Sequence, residues 1–268
     1  MDYRSLKEYF EQFLYTLYSY PQAVSFTRRK RLWEGFWKYG WVTRLLILLA
    51  LIAGIKFFTL LVDWFQGMDA SDPMAMIGSV NSFFTDVAYK EFSFLFTGGL
   101  KYAMLALLEI LIFHIVRRTF TILSGEDSET GFNAFVQAQI RMLKVTFRSY
   151  IIESVATTII HGAIGAYGFL MPLGSIAILG VQAYYTGFTI IDNYHEQFGL
   201  TIKESIKESR QYIGVVIALG LTLQVLFIVP LLGTILGPIL ATVAVALVMF
   251  DLSGLHRNNP YQTPVPQA

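Results

Sequence analysis

Four long apolar runs, at residues 41–62, 100–116, 150–191 and 213–250, constrain this chain more than any other feature. A helix needs roughly 20 apolar residues to cross a bilayer core. Each of the first two runs is long enough to cross once, and each of the last two is long enough for a pair of segments. Only 15% of the 268 residues are charged, against about 25% in an ordinary soluble domain. The expectation is an all-α integral membrane protein. It has two full transmembrane helices, two Pro-centred helical hairpins (hemi-penetrating or spanning) and amphipathic surface helices.

Charge sets the orientation. Arg28, Arg29, Lys30, Arg31 and Lys38 precede the first run, and Arg117, Arg118, Arg141, Lys144 and Arg148 follow the second. Between the two runs, Asp63, Asp69, Asp72 and Asp86 dominate up to Gly99. Basic residues concentrate on the cytoplasmic side, so the amino terminus and residues 117–149 are expected inside and residues 66–98 outside. The last two runs then begin and end inside, each as a hairpin.

The expected organisation is an amphipathic cytoplasmic segment at 1–40, a helical membrane domain at 41–254 and a disordered tail at 255–268. The opening segment is charged from its start and lacks an apolar signal core, so it is read as lying on the membrane surface. Residues 132–147 alternate apolar and basic residues at helical spacing and predict a surface helix. Thr201 with Glu204 three residues later is a capping-box signal for another.

Composition excludes several functions. A net charge of +1 offers nothing to nucleic acid, and the absence of cysteine removes disulfides, thiolate metal sites and thiol catalysis. No acid–base pair, nucleophile–histidine constellation or metal-ligand spacing is present, so no enzyme activity and no cofactor is expected.

The last two runs resemble each other. "FLMPLGSIAILGVQAYYTGFTIID" lies over "FIVPLLGTILGPILATVAVALVMFD", each with Pro-Leu, then Gly-Ser-Ile or Gly-Thr-Ile, then a closing aspartate. The repeat covers 150–192 and 213–251 and places Pro172 and Pro230 at two hairpin tips. Paired broken segments of this kind point to a transport pathway. Ser and Thr are good helix caps, so a half-helix is expected to start after each of Gly174-Ser175 and Gly233-Thr234. Such starts expose unpaired N–H groups that suit an anion. The competing reading is an ordinary pair of spanning hairpins with prolines in their turns.

These elements resemble the CysZ-type sulfate permease family, related to the etoposide-induced protein group. The residues that carry the likeness are "FTRRKRLWEGFWKYG", "FLMPLGSIAILGVQAYYTGFTIIDNYHEQFGLTIKES" and "VPLLGTILGPILATVAVAL". The resemblance implies two full spans plus two hemi-penetrating hairpins, a homo-oligomer, and movement of a small, sulfate-like inorganic anion across a bacterial inner membrane. The chain departs from the family at "YGWVTRLL", where Gly40 and Arg44 are too far apart for the family's Gly-apolar-Arg element, and in the less basic "IKESIKESR". A membrane scaffold or accessory subunit with partner subunits is the alternative function.

Several single residues stand out. Glu109 lies within an apolar run, where an ionised carboxylate costs roughly 2.5–3.5 kcal/mol and by default faces the bundle interior. Lys56, on the preceding span, is its expected ion partner or a snorkelling neighbour. His161 is expected to hydrogen-bond a neighbouring helix or line a pathway. Glu153, His195 and Glu196 are expected at the solvated cytoplasmic edge. Gly162, Gly165 and Gly168 suggest close helix packing, as do Gly233, Gly237 and Ala241.

Overall fold

The computed structural model describes residues 5–34, 100–125, 132–165, 171–227 and 236–258, with Arg44, Ile55, Thr59, Val62, Asp63, Gln66 and Gly233 as single positions. Apart from those single positions, the first expected span and the outer segment at 66–98 lie outside the described residues, as do Pro230, Thr234 and Lys56.

Among the described residues the chain is helical throughout, without strand. In order, α1 is Leu6–Arg29, α2 Leu100–Ser124, α3 Phe132–Gly165, α4 Met171–Glu196, α5 Ile202–Ser209, α6 Ile213–Phe227 and α7 Gly237–Ser253. A short 3₁₀ turn, Arg210–Tyr212, joins α5 to α6. Two stretches, Pro172–Glu196 and Ile202–Phe227, are long and apolar enough to cross a membrane.

Local sequence explains where the helices start and stop. Ser5 caps α1 by accepting from Glu8 N–H, and the Glu8 side chain accepts from Ser5 N–H in return. Thr201 and Glu204 form the same reciprocal box at α5, as their spacing predicts. Gly254, at φ 61, ends α7 in the left-handed conformation that glycine adopts without strain. The surface helix expected at 132–147 is not a separate element. Neither glycine nor proline interrupts the chain until Gly162, so α3 continues for 34 residues to Gly165. The tail also begins with order, since Leu255–Asn258 form a 3₁₀ turn.

Glycines set the closest helix crossing. A Cβ on Gly187 would stand 1.8 Å from the carbonyl oxygen of Val216, and one on Gly220 would stand 1.8 Å from that of Ala183. These reciprocal contacts make α4 and α6 antiparallel, with backbone touching backbone. Helix α7 returns along α6, where Gly233 meets the Leu226 carbonyl and Gly237 packs on Leu223 and Leu226. The G-x-x-x-G therefore serves close contact inside the protomer, as its spacing suggested. Gly162, by contrast, faces open space.

Helix α1 packs across α6 and α7. Gly214 lies under the Tyr9 carbonyl. Gln12 donates to the Gln211 carbonyl at 3.0 Å, and Tyr15 donates to Asp251 at 2.6 Å. That hydrogen bond, followed by burial, pushes the Tyr15 phenol up to about 12 and keeps it a neutral donor at ordinary pH.

The α4–α6 crossing yields a direct expectation. Gly187→Leu forces a side chain into the Val216 backbone and should lower the Tm of purified protein sharply. Gly162→Ala, at an open helical site, should hold or raise the Tm, since alanine is favoured over helical glycine by about 1 kcal/mol. Similar melting of both variants would show that the crossing is not under steric constraint.

Candidate functional site

The sequence singled out two hairpin tips as an anion site, and the structure places their parts differently. Helix α4 begins at Met171, so Pro172 is its second residue, in the first turn, where a missing N–H costs nothing. Gly174 and Ser175 follow inside the helix, beyond its first unpaired N–H groups. Gly174 is buried, and a Cβ there would stand 2.9 Å from the Ile164 side chain of α3. Ser175 lies on the exposed side. In the second hairpin α7 begins at Gly237, with Pro238 in its first turn, after Gly233 rather than at it. Gly233 and Leu236 belong to a π-helical turn just ahead of α7. Gly174 packs on Ile164 of α3 and Gly233 on Leu226 of α6, each within its own hairpin.

The remaining sequence candidates are scattered. Glu109 falls within α2, but its side chain lies outside the described residues, as does its expected partner Lys56. His161 is exposed near the end of α3. Glu153 and His195 are not at a solvated edge, being only 5% and 0% exposed. Glu196 is half-buried.

What the structure does assemble is a strip of buried polar residues along α3 and α4, joined by one ion pair. Arg141 on α3 grips Asp192 on α4 with both arms of its guanidinium, Nε to Oδ2 at 3.1 Å and Nη2 to Oδ1 at 2.8 Å. Its third donor, Nη1, reaches the Leu200 carbonyl in the turn after α4. Asp192 is 1% exposed. Two residues of opposite charge are removed from solvent together, with every guanidinium nitrogen engaged.

The Arg141–Asp192 contact also sets register. Moving up α3 and back along α4 from it, Thr146 comes level with Thr186. Both are buried, and neither hydroxyl makes a hydrogen bond. Ser149 and Glu153 on α3 and Thr189 on α4 are buried as well. Near the middle of the strip stands Tyr185, whose hydroxyl feels Arg148 and Arg210 as positive neighbours and Glu153 as a negative one.

At the Asp192 end the strip is closed by a knot of side chains. His195 Nδ1 lies 3.0 Å from Ser205 Oγ, while its Nε2 has no hydrogen-bond partner. Tyr194 and Ser253 hydroxyls are 3.3 Å apart, and Tyr212 donates to the Leu252 carbonyl. Phe120 meets Phe198 edge to face at 5.1 Å between ring centroids, tying α2 into the same end. Arg118 of α2 holds Glu34 at 3.2 Å, which fastens the chain that follows α1.

Among the described residues no group of His, Asp and Glu is placed to hold a metal. In class, the described residues form an all-helical protein in which two helices are long and apolar enough to cross a membrane. No family model, curated protein or solved structure matches it.

The Arg141–Asp192 pair carries its own test. Leaving one partner buried and uncompensated costs about 3–5 kcal/mol, so Arg141→Met and Asp192→Leu should each lower stability strongly. The double variant should recover much of that loss. Additive losses would show that the pair does not set the α3–α4 register.

Proposed function

We propose that this chain is a multi-pass membrane transport protein that moves a small, sulfate-like inorganic anion across a bacterial inner membrane, with its amino terminus cytoplasmic. The observation that carries this reading is the inverted polarity of α3. Its buried side carries Thr146, Ser149 and Glu153. Its exposed side carries Leu143 at 58%, Phe147 at 67%, Val155 at 54% and Ile159 at 64%.

In water this distribution is unfavourable, because large apolar side chains face solvent while hydroxyls and a carboxylate are desolvated. In lipid it is the expected one. Small and polar residues join helices there, and apolar residues meet acyl chains. The first turns of α4 extend the argument, since Leu173 is 62% and Ile176 67% exposed.

Anion passage is supported by the strip between α3 and α4. The unbonded hydroxyls of Thr146 and Thr186 are neutral donors, which can solvate an anion without trapping it. Arg141 neutralises Asp192, and around Tyr185 two arginines act against one carboxylate. Sulfate as the type of anion comes from the resemblance to CysZ-type permeases, as does assembly into a homo-oligomer.

The decisive experiment reconstitutes the purified chain in liposomes and follows efflux of sulfate, chloride and phosphate. Sulfate should leave protein-containing vesicles faster than empty ones. Replacing Thr146 and Thr186 together by valine should slow that efflux about tenfold, the kinetic equivalent of one hydrogen bond worth about 1.4 kcal/mol. The variant's Tm should stay unchanged. Anion efflux no faster than from empty vesicles would reject transport and favour the scaffold or accessory-subunit reading.

A further inference from the structure

Helix α1 is built inside out. At about 100° per residue, Leu6, Phe10, Leu14, Leu17, Tyr18 and Val24 share one side, and Gln12, Thr16, Ser19 and Ala23 share the opposite one. The second group is the buried one, at 5%, 0%, 4% and 0% exposure. The large apolar group faces outward, with Leu6 at 86%, Phe10 at 61% and Tyr18 at 73%. The small polar side chains serve the contact with α6 and α7. Gln12 bonds the Gln211 carbonyl, and Thr16 and Ser19 return their hydroxyls to α1's own carbonyls. Packing against the bundle therefore leaves the apolar side uncovered.

The chemistry at the end of α1 names what covers it. Arg28, Arg29, Lys30 and Arg31 are consecutive and exposed, directly after the apolar stripe. Arg31 turns the chain at φ 46 and pairs with Glu34 at 3.5 Å. The other three are left outward, with the half-exposed Trp33 beside them. An outward apolar stripe that ends in a basic cluster and a tryptophan matches a bilayer surface: acyl chains for the stripe, anionic headgroups for the cations, the interfacial zone for the indole.

We infer that the outward face of α1 is a lipid-binding surface that seats in the cytoplasmic leaflet and selects anionic phospholipid through Arg28, Arg29 and Lys30. The inference rests on the membrane reading above and adds to it a lipid class and a set of residues. It also gives α1 a mechanical position. The same helix touches lipid on one side and α6 and α7 on the other, so headgroup charge acts directly on the hairpin α1 supports.

The chain has no cysteine, so single labels are clean. A polarity-sensitive fluorophore is placed on Leu14→Cys and, separately, on Ile176→Cys at the hairpin tip. Each full-length protein is reconstituted in phosphatidylcholine alone or in an equimolar mixture with phosphatidylglycerol, with brominated lipids as quenchers. Quenching at Leu14→Cys should be at least twofold stronger in the anionic vesicles. Arg28→Gln, Arg29→Gln and Lys30→Gln together should abolish that difference without changing quenching at Ile176→Cys. An unquenched label at Leu14→Cys with a quenched one at Ile176→Cys would overturn the inference, because protein rather than lipid then covers α1. Equal quenching in both lipid mixtures would overturn the selection of anionic headgroups. No quenching at either position would reject the membrane reading itself.

Discussion

The buried pair of Arg141 and Asp192 is the interaction on which the rest of this bundle depends. It joins α3 to the carboxy-terminal part of α4, and through the Leu200 carbonyl it also holds the turn that leads into α5. Attraction alone does not explain such a pair, because desolvating two ions offsets most of what their contact returns. Its effect is specificity. A slide of α3 by one turn would leave a carboxylate and a guanidinium apart in a site without water. The register that results brings Thr146 level with Thr186 and keeps Ser149 and Glu153 facing inward. Glycine completes the arrangement from the other side of α4, where Gly187 and Gly220 let α6 approach to backbone contact.

The distribution of polarity follows from that geometry. Where α4 crosses α6 at Gly187 and Gly220, backbone contact takes the place of side-chain packing. Large side chains such as Phe147, Ile159 and Ile176 are displaced outward as a consequence. The apolar core runs from Tyr212 along α6 to Phe227 and along α7 from Ile239 to Met249, with α2 and α4 packed on it through Ile112, Ile115, Phe120, Ile191 and Tyr194.

Much of this was legible in the sequence. The all-helical class, the capping box at Thr201 and the close packing at Gly237 followed from local chemistry. The two stretches long and apolar enough to span, Pro172–Glu196 and Ile202–Phe227, fall in the part of the chain read as hairpins and a surface helix rather than at the spans expected at 41–62 and 100–116. The helix starts near Gly174 and Gly233 were not legible. Proline fits the first turn of a helix as readily as the centre of a loop, so Pro172 does not distinguish a tip from a start. The burial of His195 and Glu153 was missed for a related reason. A polar residue near a run's end reads as solvated unless its partner across the bundle is known, and Ser205 becomes that partner for His195 only once α5 folds back. Gly187 and Gly220 did carry a signal. An isolated glycine within an apolar helical pattern points to close approach, but only the fold pairs the two.

Charge along the α3–α4 strip remains to be reconciled with an anion. Asp192 is matched by Arg141 within hydrogen-bond distance, so its field falls off as that of a dipole rather than a charge. Glu153 stands twelve residues further along α3, about 18 Å at the helical rise. At that separation Arg141 contributes little through screened solvent, where the Debye length is about 8–10 Å. The compensation is local instead. Arg148, five residues before Glu153, and Arg210, in the 3₁₀ turn ahead of α6, both act on Tyr185, where Glu153 is also felt. Both guanidiniums are exposed. Under the proposed anion transport, attraction would come from these exposed guanidiniums and not from the matched Arg141–Asp192 pair, so that entry is favoured without a fixed counter-ion to hold the anion.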